Sequence, residues 1–345
     1  MTNVKDVAKL AQVSTATVSR VISNKGKVKK ETREKVLKAI EVLDYHPNNI
    51  GRQLRTMKTM TILVLVPDIT NTFFSKILRK IEVTAIEKGY EVLLGDTQNK
   101  PADKYFGYFY EKKVDGIISL TSYFDVKNLE TINKQIPFVL ACENIEGINL
   151  PSVTINNILG AEIMTHYLID KGHKNISYIS GPLKGILGKN RLTGFKQQML
   201  KHNLKINDDW IFEGDFTIQS GYKIGMKILK LKELPSAIFA ANDEMAIGII
   251  KVLTKHGIRV PDDISIVGFD NIISSEIITP ELTTYAQPVE EIGNQAIQKL
   301  LDLIENKELK ETDTLLEGTI LERQSAQNIK SVSYTHLTLP TIYSV

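Results

Sequence analysis

The sequence predicts an all-α helix-turn-helix head followed by an α/β core of two doubly wound parallel-sheet lobes. Three observations predict it. Two short helical patterns meet at a tight turn within residues 4–22, and charge is segregated between the start of the chain and the rest. From Thr61 onward, short β-rich runs alternate with longer helical patterns, the signature of parallel sheets flanked by helices.

Val4, Val7, Ala8 and Ala11 follow the spacing of one helical face, and the apolar positions resume at Val18, Val21 and Ile22. Two short helices therefore share one small core. Asn3 with Asp6 forms a capping pair, and Ser14 is a favoured N-cap that starts the second helix. Thr15, Ala16, Ser19 and Arg20 fall opposite the apolar positions. A helix-turn-helix sends this second helix into a DNA major groove, where polar groups reach base edges or phosphates. Arg20 suits guanine, which it can clasp through two parallel hydrogen bonds. A third run, Thr32 to Leu43, puts Val36, Leu37, Ile40 and Leu43 on a face that closes the core, with Arg33, Lys35 and Lys38 towards solvent.

Residues 1–58 hold 13 Lys and Arg against 5 Asp and Glu, a net +8, whereas the remainder holds 30 against 35, a net −5. The overall +3 thus conceals a basic head on an acidic body. A charge run alone is usually a solvated face; this segregation argues for phosphate contacts and a steep salt dependence. With 345 residues, 42% hydrophobic and 24% charged, the chain has material for two or three domains. Cys142 is the single cysteine, which suits a cytosolic setting. No apolar run approaches membrane-spanning length, and Lys5, Asp6 and Lys9 interrupt any secretory core. The expectation is a cytoplasmic protein with no membrane partner.

In the core, Ile62 to Val66, Val92 to Gly95, Gly116 to Leu120, Phe138 to Ala141, Ile176 to Ser180, Ala237 to Ala241 and Ile264 to Phe269 read as buried strands. Helical patterns cover Phe73 to Lys88, Asp103 to Lys112, Arg191 to His202, Ser220 to Lys230, Glu244 to His256 and Glu290 to Ile304. The alternation restarts after Asn157, so two lobes enclose a cleft, and ligands of open α/β sheets sit beyond the strand ends. Asn71, Phe73 and Phe74, then Arg191, Asn242-Asp243, Asp270-Asn271 and Gln287 stand at those ends. Taken singly, Phe73 and Phe74 read as core, and Asp243 and Asp270 as helix caps. Their joint recurrence favours a site for a polyhydroxylated ligand, with aromatic faces on C–H surfaces and amides and carboxylates on hydroxyls.

The segments Asp6-Val7-Ala8, Val13-Ser14-x-Ala16-Thr17-Val18-Ser19-Arg20-Val21, Thr32-Arg33-x-Lys35-Val36 and Tyr45-x-Pro47-Asn48 resemble the lactose-repressor (LacI/GalR) family of bacterial transcription regulators. The resemblance implies a repressor that binds a double-stranded DNA operator. Its DNA-contacting set is Ser14, Thr15, Ala16, Thr17, Ser19, Arg20, Lys27, Thr32, Tyr45, Asn48 and Leu54. It divides the chain into a head (1–46), a hinge helix and linker (47–60) and an effector-binding and dimerisation core (61–330). In the hinge, Leu54 would wedge into the minor groove and kink the duplex. Gly51 stands where the family commonly has Ala, at a helical cost of about 1 kcal/mol.

The core is similar to periplasmic sugar-binding proteins. The family's pocket, carried over, implicates Phe73, Phe74, Arg191, Phe216, Asn242, Asp270 and Gln287, with Asn71 beside them, in a ribose-type pattern. Cys142-Glu143 stands where that pattern has an Asp-Arg pair clasping the sugar, which counts against ribose itself. A purine is the alternative effector, because Arg191-Leu-x-Gly-Phe195 and Gly214-Asp-Phe216 also resemble the purine-repressor branch; Asn242 and Gln287 suit hydroxyls better. A serine-phosphorylated phosphocarrier protein acting as corepressor is a third possibility.

One small head reads one half-site, so specificity calls for a homodimer on a pseudo-palindrome. Ile77, Ile81 and Val83 to Ile86 offer a helical face for such contacts, part of which packs on its own sheet. Residues 331–345 fit no element of the family and read as a non-native extension. A sugar-binding transport receptor would share the core but has no use for a basic head. An enzyme is disfavoured: there is no Gly-x-Ser-x-Gly elbow, phosphate loop or metal-spaced cluster, and His46, His166, His173, His202, His256 and His336 are scattered. No cofactor or metal is expected.

Overall fold

A computed structural model describes residues 2–22, 26–45, 58–98, 100–125, 129, 135–145 and 147–329. Asn48, Leu54 and the rest of the predicted hinge helix, and the extension at 331–345, lie outside the described residues. The chain divides into two compact units between Thr59 and Met60.

The first unit holds α1 (Val4–Leu10), α2 (Thr15–Ile22) and α3 (Lys30–Val42). Asn3 and Asp6 form a reciprocal capping box: the Asn3 side chain accepts from the Lys5 and Asp6 N–H groups, and the Asp6 carboxylate accepts from the Asn3 N–H at 2.9 Å. The Thr17 N–H donates to Ser14 Oγ at 3.1 Å, so Ser14 caps α2 and the helix itself begins one residue later. Val7, Ala8, Ala11, Val18, Val21, Val36 and Ala39 form the core. Two expected core residues differ. Leu37 is 50% exposed, because it lies about 100° around α3 from Val36, whose face is completed by Ala39, Ile40 and Leu43. Ile22, the last residue of α2, is 36% exposed.

The second unit contains the two predicted parallel-sheet lobes. The first sheet has the order β11-β5-β4-β3-β1-β2, from β1 (Thr61–Val66), β2 (Glu91–Asp96), β3 (Gly116–Ser119), β4 (Phe138–Ala141), β5 (Ser152–Ile155) and β11 (Asp313–Leu316), all parallel. The second has the order β12-β10-β9-β8-β6-β7, from β6 (Ile176–Ser180), β7 (Ile211–Glu213), β8 (Ala237–Ala240), β9 (Ser265–Asp270), β10 (Thr283–Ala286) and β12 (Thr319–Leu321). Only β12 runs antiparallel to its neighbour. β1 is an unbroken apolar run because both its faces are covered: Ile62, Val64 and Val66 enter one apolar cluster, Leu63 and Leu65 another.

Among the described residues, six longer helices flank the sheets: α4 (Phe73–Glu87), α5 (Asn157–Asp170), α6 (Ile186–Lys201), α7 (Ile218–Ile228), α8 (Asp243–Lys255) and α9 (Val289–Ile304). Glycines let two pairs approach closely. A Cβ at Gly221 would stand 2.2 Å from the Met245 carbonyl oxygen, and one at Gly194 would stand 2.2 Å from that of Ile158. Helix α6 begins five residues before Arg191, since Gly188 is there for contact and not as a breaker: its Cβ would lie 2.4 Å from the Pro182 carbonyl oxygen. The run Asp103 to Lys112 forms only a 3₁₀ turn at Asp103–Phe106 and one helical turn at Gly107–Tyr110.

The chain crosses between lobes three times: after β5, after β10 and between β11 and β12. The last crossing lies against the second, where the Gly318 N–H donates to the Tyr285 hydroxyl at 2.9 Å. These crossings hold the strand ends of both sheets around one cleft.

Candidate functional site

On the head, Val18 and Val21 of α2 turn inward and leave Thr15, Ser19 and Arg20 outward. Ser14, Thr15, Ala16, Ser19 and Arg20 are exposed, as is Lys27; Thr17, Thr32 and Tyr45 are half-buried. Tyr45 packs against the head's apolar core. Gly26 has φ +85°, a left-handed conformation that favours glycine, and a Cβ there would meet the Arg20 Cδ at 3.9 Å.

Between the lobes lies a cavity of ≈ 570 Å³ whose lining includes Asn71, Phe73, Phe74, Arg191, Phe216, Asn242, Asp270 and Gln287. The sequence-predicted set, drawn from residues 71 to 287, thus converges on one space. Phe73 and Phe74 open α4, stand edge-to-face at 5.1 Å, and belong to the apolar core as well as to the cavity wall. Asn71 Oδ1 accepts the Phe73 N–H at 2.9 Å and fixes that entry.

Arg191 is 3% exposed. Its Nε donates to Asn157 Oδ1 at 2.8 Å, its Nη1 to the Ala241 carbonyl and to Asp270 Oδ1 at 3.4 Å, and the guanidinium lies 3.8 Å over the Phe269 ring. Asp270 ends β9 in a left-handed conformation, φ +114°, and also accepts from Gln287 Nε2 at 2.6 Å. Burial pushes its carboxyl up to about 6, against the opposing pull of Arg191 and Gln287. Behind it, fully buried Asp243 accepts from the Ile272 N–H, the Ser275 hydroxyl and the Thr284 hydroxyl at 3.0, 2.7 and 2.6 Å. These bonds pin the turn that presents Asp270. Burial, then the charge of Asp270, raises the Asp243 carboxyl to about 7. Gly268 makes room, since a Cβ there would sit 2.1 Å from Asp243 Oδ1.

Asn242 caps α8 by accepting the Met245 N–H at 3.1 Å and donates to the Phe216 carbonyl at 2.9 Å, so it builds the wall as well as lining it. Phe216 has φ +66°, and its ring covers Gly181, where a Cβ would come within 1.9 Å of it.

Sequence reasoning placed Cys142-Glu143 only as a departure from a pattern, and missed Asp68, Ser122, Asp215 and Glu244 as lining residues. Their one signal was position just beyond a strand or at a helix start. Cys142, in a left-handed conformation with φ +72°, turns the chain after β4. Glu143 Oε2 accepts the Ser122 N–H at 2.9 Å and the Ser122 hydroxyl, and burial raises its carboxyl from the ordinary value. Among the described residues, no cluster of three or more His, Cys, Asp or Glu could hold a metal ion. No helix among them is long and apolar enough to cross a membrane.

Residues 3–48 match the family described as bacterial regulatory proteins, lacI family, and residues 165–326 match the periplasmic binding protein-like domain. The HTH-type transcriptional repressor CytR of Escherichia coli (strain K12) is 39% identical over 327 residues, covering 94% of this chain and 96% of the relative. The lac repressor dimer bound to operator and the anti-inducer ONPF superposes with a TM-score of 0.84 at 26% identity, covering 94% of this chain and 99% of that one. A LacI family transcriptional regulator from Enterococcus faecium with bound ribose gives a TM-score of 0.69 at 32% identity, covering 78% and 100%.

Proposed function

The chain belongs to the lacI family of bacterial regulatory proteins, and on that premise we propose that it is a cytoplasmic, homodimeric repressor whose grip on a pseudo-palindromic operator is set by a small effector, a sugar, bound in the cleft. The observation that carries this reading is the pairing, in one chain, of an exposed polar helix face on a basic head with a cavity between two lobes that aromatic residues, amides and carboxylates line together.

Helix α2 lies in the major groove, where Arg20 clasps a guanine and Thr15, Ala16 and Ser19 meet neighbouring base edges. Ser14, Thr17, Lys27, Thr32, Tyr45 and Asn48 hold the register through the phosphate backbone, and Leu54 wedges the minor groove. In the cleft, Phe73, Phe74 and Phe216 pack on the ligand's C–H faces, while Asn71, Arg191, Asn242, Asp270 and Gln287 meet its polar groups. Dimerisation covers Val83 and Ile86 of α4 and Leu93 and Leu94 of edge strand β2, which are exposed apolar residues in the single chain.

The test has two arms. Operator selection from random duplexes should return a pseudo-palindrome, bound by a dimer in sedimentation analysis; recovery of no shared sequence would reject the DNA reading. A thermal-shift screen should show stabilisation by sugars, and stabilisation by purines instead would move the effector to that class.

A further inference from the structure

The cleft is unevenly charged. Among the described residues, Asp68, Glu143, Asp215, Glu244 and Asp270 line it against only Lys184 and Arg191, and both of these cations belong to the second lobe. Arg191 is engaged by Asp270, Asn157 and the Ala241 carbonyl. Among the described residues, the first-lobe wall therefore presents two carboxylates and no cation. Each is clamped through a single oxygen: Asp68 Oδ1 accepts the N–H and hydroxyl of Thr70 at 2.8 and 2.7 Å, and Glu143 Oε2 accepts the N–H and hydroxyl of Ser122. The second oxygen of each retains its acceptor capacity.

Glu244 faces them from the start of α8 in the other lobe. Burial, then the charges of Asp270 and Asp68, raises its carboxyl to about 7, so carboxylates of the two walls sense one another across the cleft. Closing the lobes on a neutral ligand would bury like charges together, and closing them on an anion would add to the repulsion. A metal ion does not resolve this, because among the described residues the acidic groups do not gather into a coordination shell. An extended organic cation does. Its charge can lie between the two walls while Phe73, Phe74 and Phe216 offer aromatic faces to the rest.

We propose that the effector is a polyhydroxylated molecule carrying a protonated amine, an amino sugar in chemical class, with its ammonium lying in the combined field of Asp68 and Glu143 of one lobe and Glu244 of the other rather than coordinated by all three. This rests on the reading of the cleft as the effector site.

The experiment uses the full chain and calorimetric titration with matched trios: glucosamine, glucose and glucose 6-phosphate, and the galactose and mannose equivalents. At least one amine should bind about tenfold tighter or more than its neutral partner, with no binding of the phosphorylated partner. Glu143→Gln should reduce amine binding about tenfold while leaving the neutral partner within about twofold; Glu244→Gln, on the opposite wall, should do the same. Neutral or phosphorylated sugars binding as tightly as the amines, or no amine binding, would overturn the proposal. If a neutral sugar binds and Asp270→Asn removes it, the effector cleft stands and the amine inference alone fails. Binding insensitive to Asp270→Asn, Glu143→Gln and Phe216→Ala would remove both.

Discussion

The head and the core keep their recognition chemistry in opposite states of solvation. On α2 the residues assigned to DNA stand in water, while stability comes from Val18 and Val21 on the other side. In the cleft, Arg191, Asn242, Asp270 and Gln287 are themselves buried and hydrogen-bonded to the scaffold. Recognition and folding are thus separable on the outward face of α2, meet at its cap Ser14, and are shared in the core. The outward face of α2 can change its reading at little cost in stability, whereas the cleft cannot lose Arg191 or Asn242 without disturbing the lobe that carries them.

The largest expected effect tests the shared half of that contrast. Arg191→Ala leaves Asp270 with Gln287 as its remaining side-chain partner, and should cost the core about 3 kcal/mol together with its effector binding. A thermal midpoint unchanged in calorimetry would break the comparison. Next, Arg20→Ala should weaken specific operator binding by about 2 kcal/mol in gel-shift titration, with the melting curve unmoved. Loss of stability there would mean that the head is not separable after all. Ser14→Ala sharpens the boundary: removing the cap of α2 should cost the head about 1 kcal/mol, read as an earlier loss of helical signal on heating.

The last test of the core is its pH dependence. Asp243, Glu244 and Asp270 have carboxyls raised to about 7, 7 and 6, mainly by burial, so the folded core holds protons that the unfolded chain has released. Their stabilising contribution is present below the ordinary carboxylate range and is lost as pH rises through those values. The core's thermal midpoint should fall between about pH 5 and about pH 8, and Glu244→Gln should flatten the slope. A midpoint that rises across this range would contradict the assignment.

What the sequence disclosed follows the same divide. The capping box at Asn3 and Asp6 and the strands Phe138–Ala141 and Ile176–Ser180 stand where local pattern put them, since caps and buried strands are local signals. Helix α5 escaped because Ile158, Leu159, Ile163, Met164 and Leu168 do not form one clean stripe, and Gly160 sits among them against Phe269. Strands β11 and β12 are short edge strands whose partners lie far away in sequence. In the cleft, the aromatics and amides at strand ends were legible. Asp68 and Glu244 were not, and Glu143 was legible only as a departure from a pattern, because a carboxylate beyond a strand reads as surface until the opposite lobe is in place.

The three crossings between the lobes have a consequence for the chain as it leaves the ribosome. The first sheet takes its outer strand, β11, from residues that follow all but the last strand of the second sheet, and α9 packs on the first lobe against α4. Until Ile304 has been synthesised α4 therefore lacks its neighbour, and until Leu316 has been synthesised β5 presents an open hydrogen-bonding edge. The first lobe to be made is the one that must wait, exposed to chaperones or to sister chains, for nearly the whole described core to emerge.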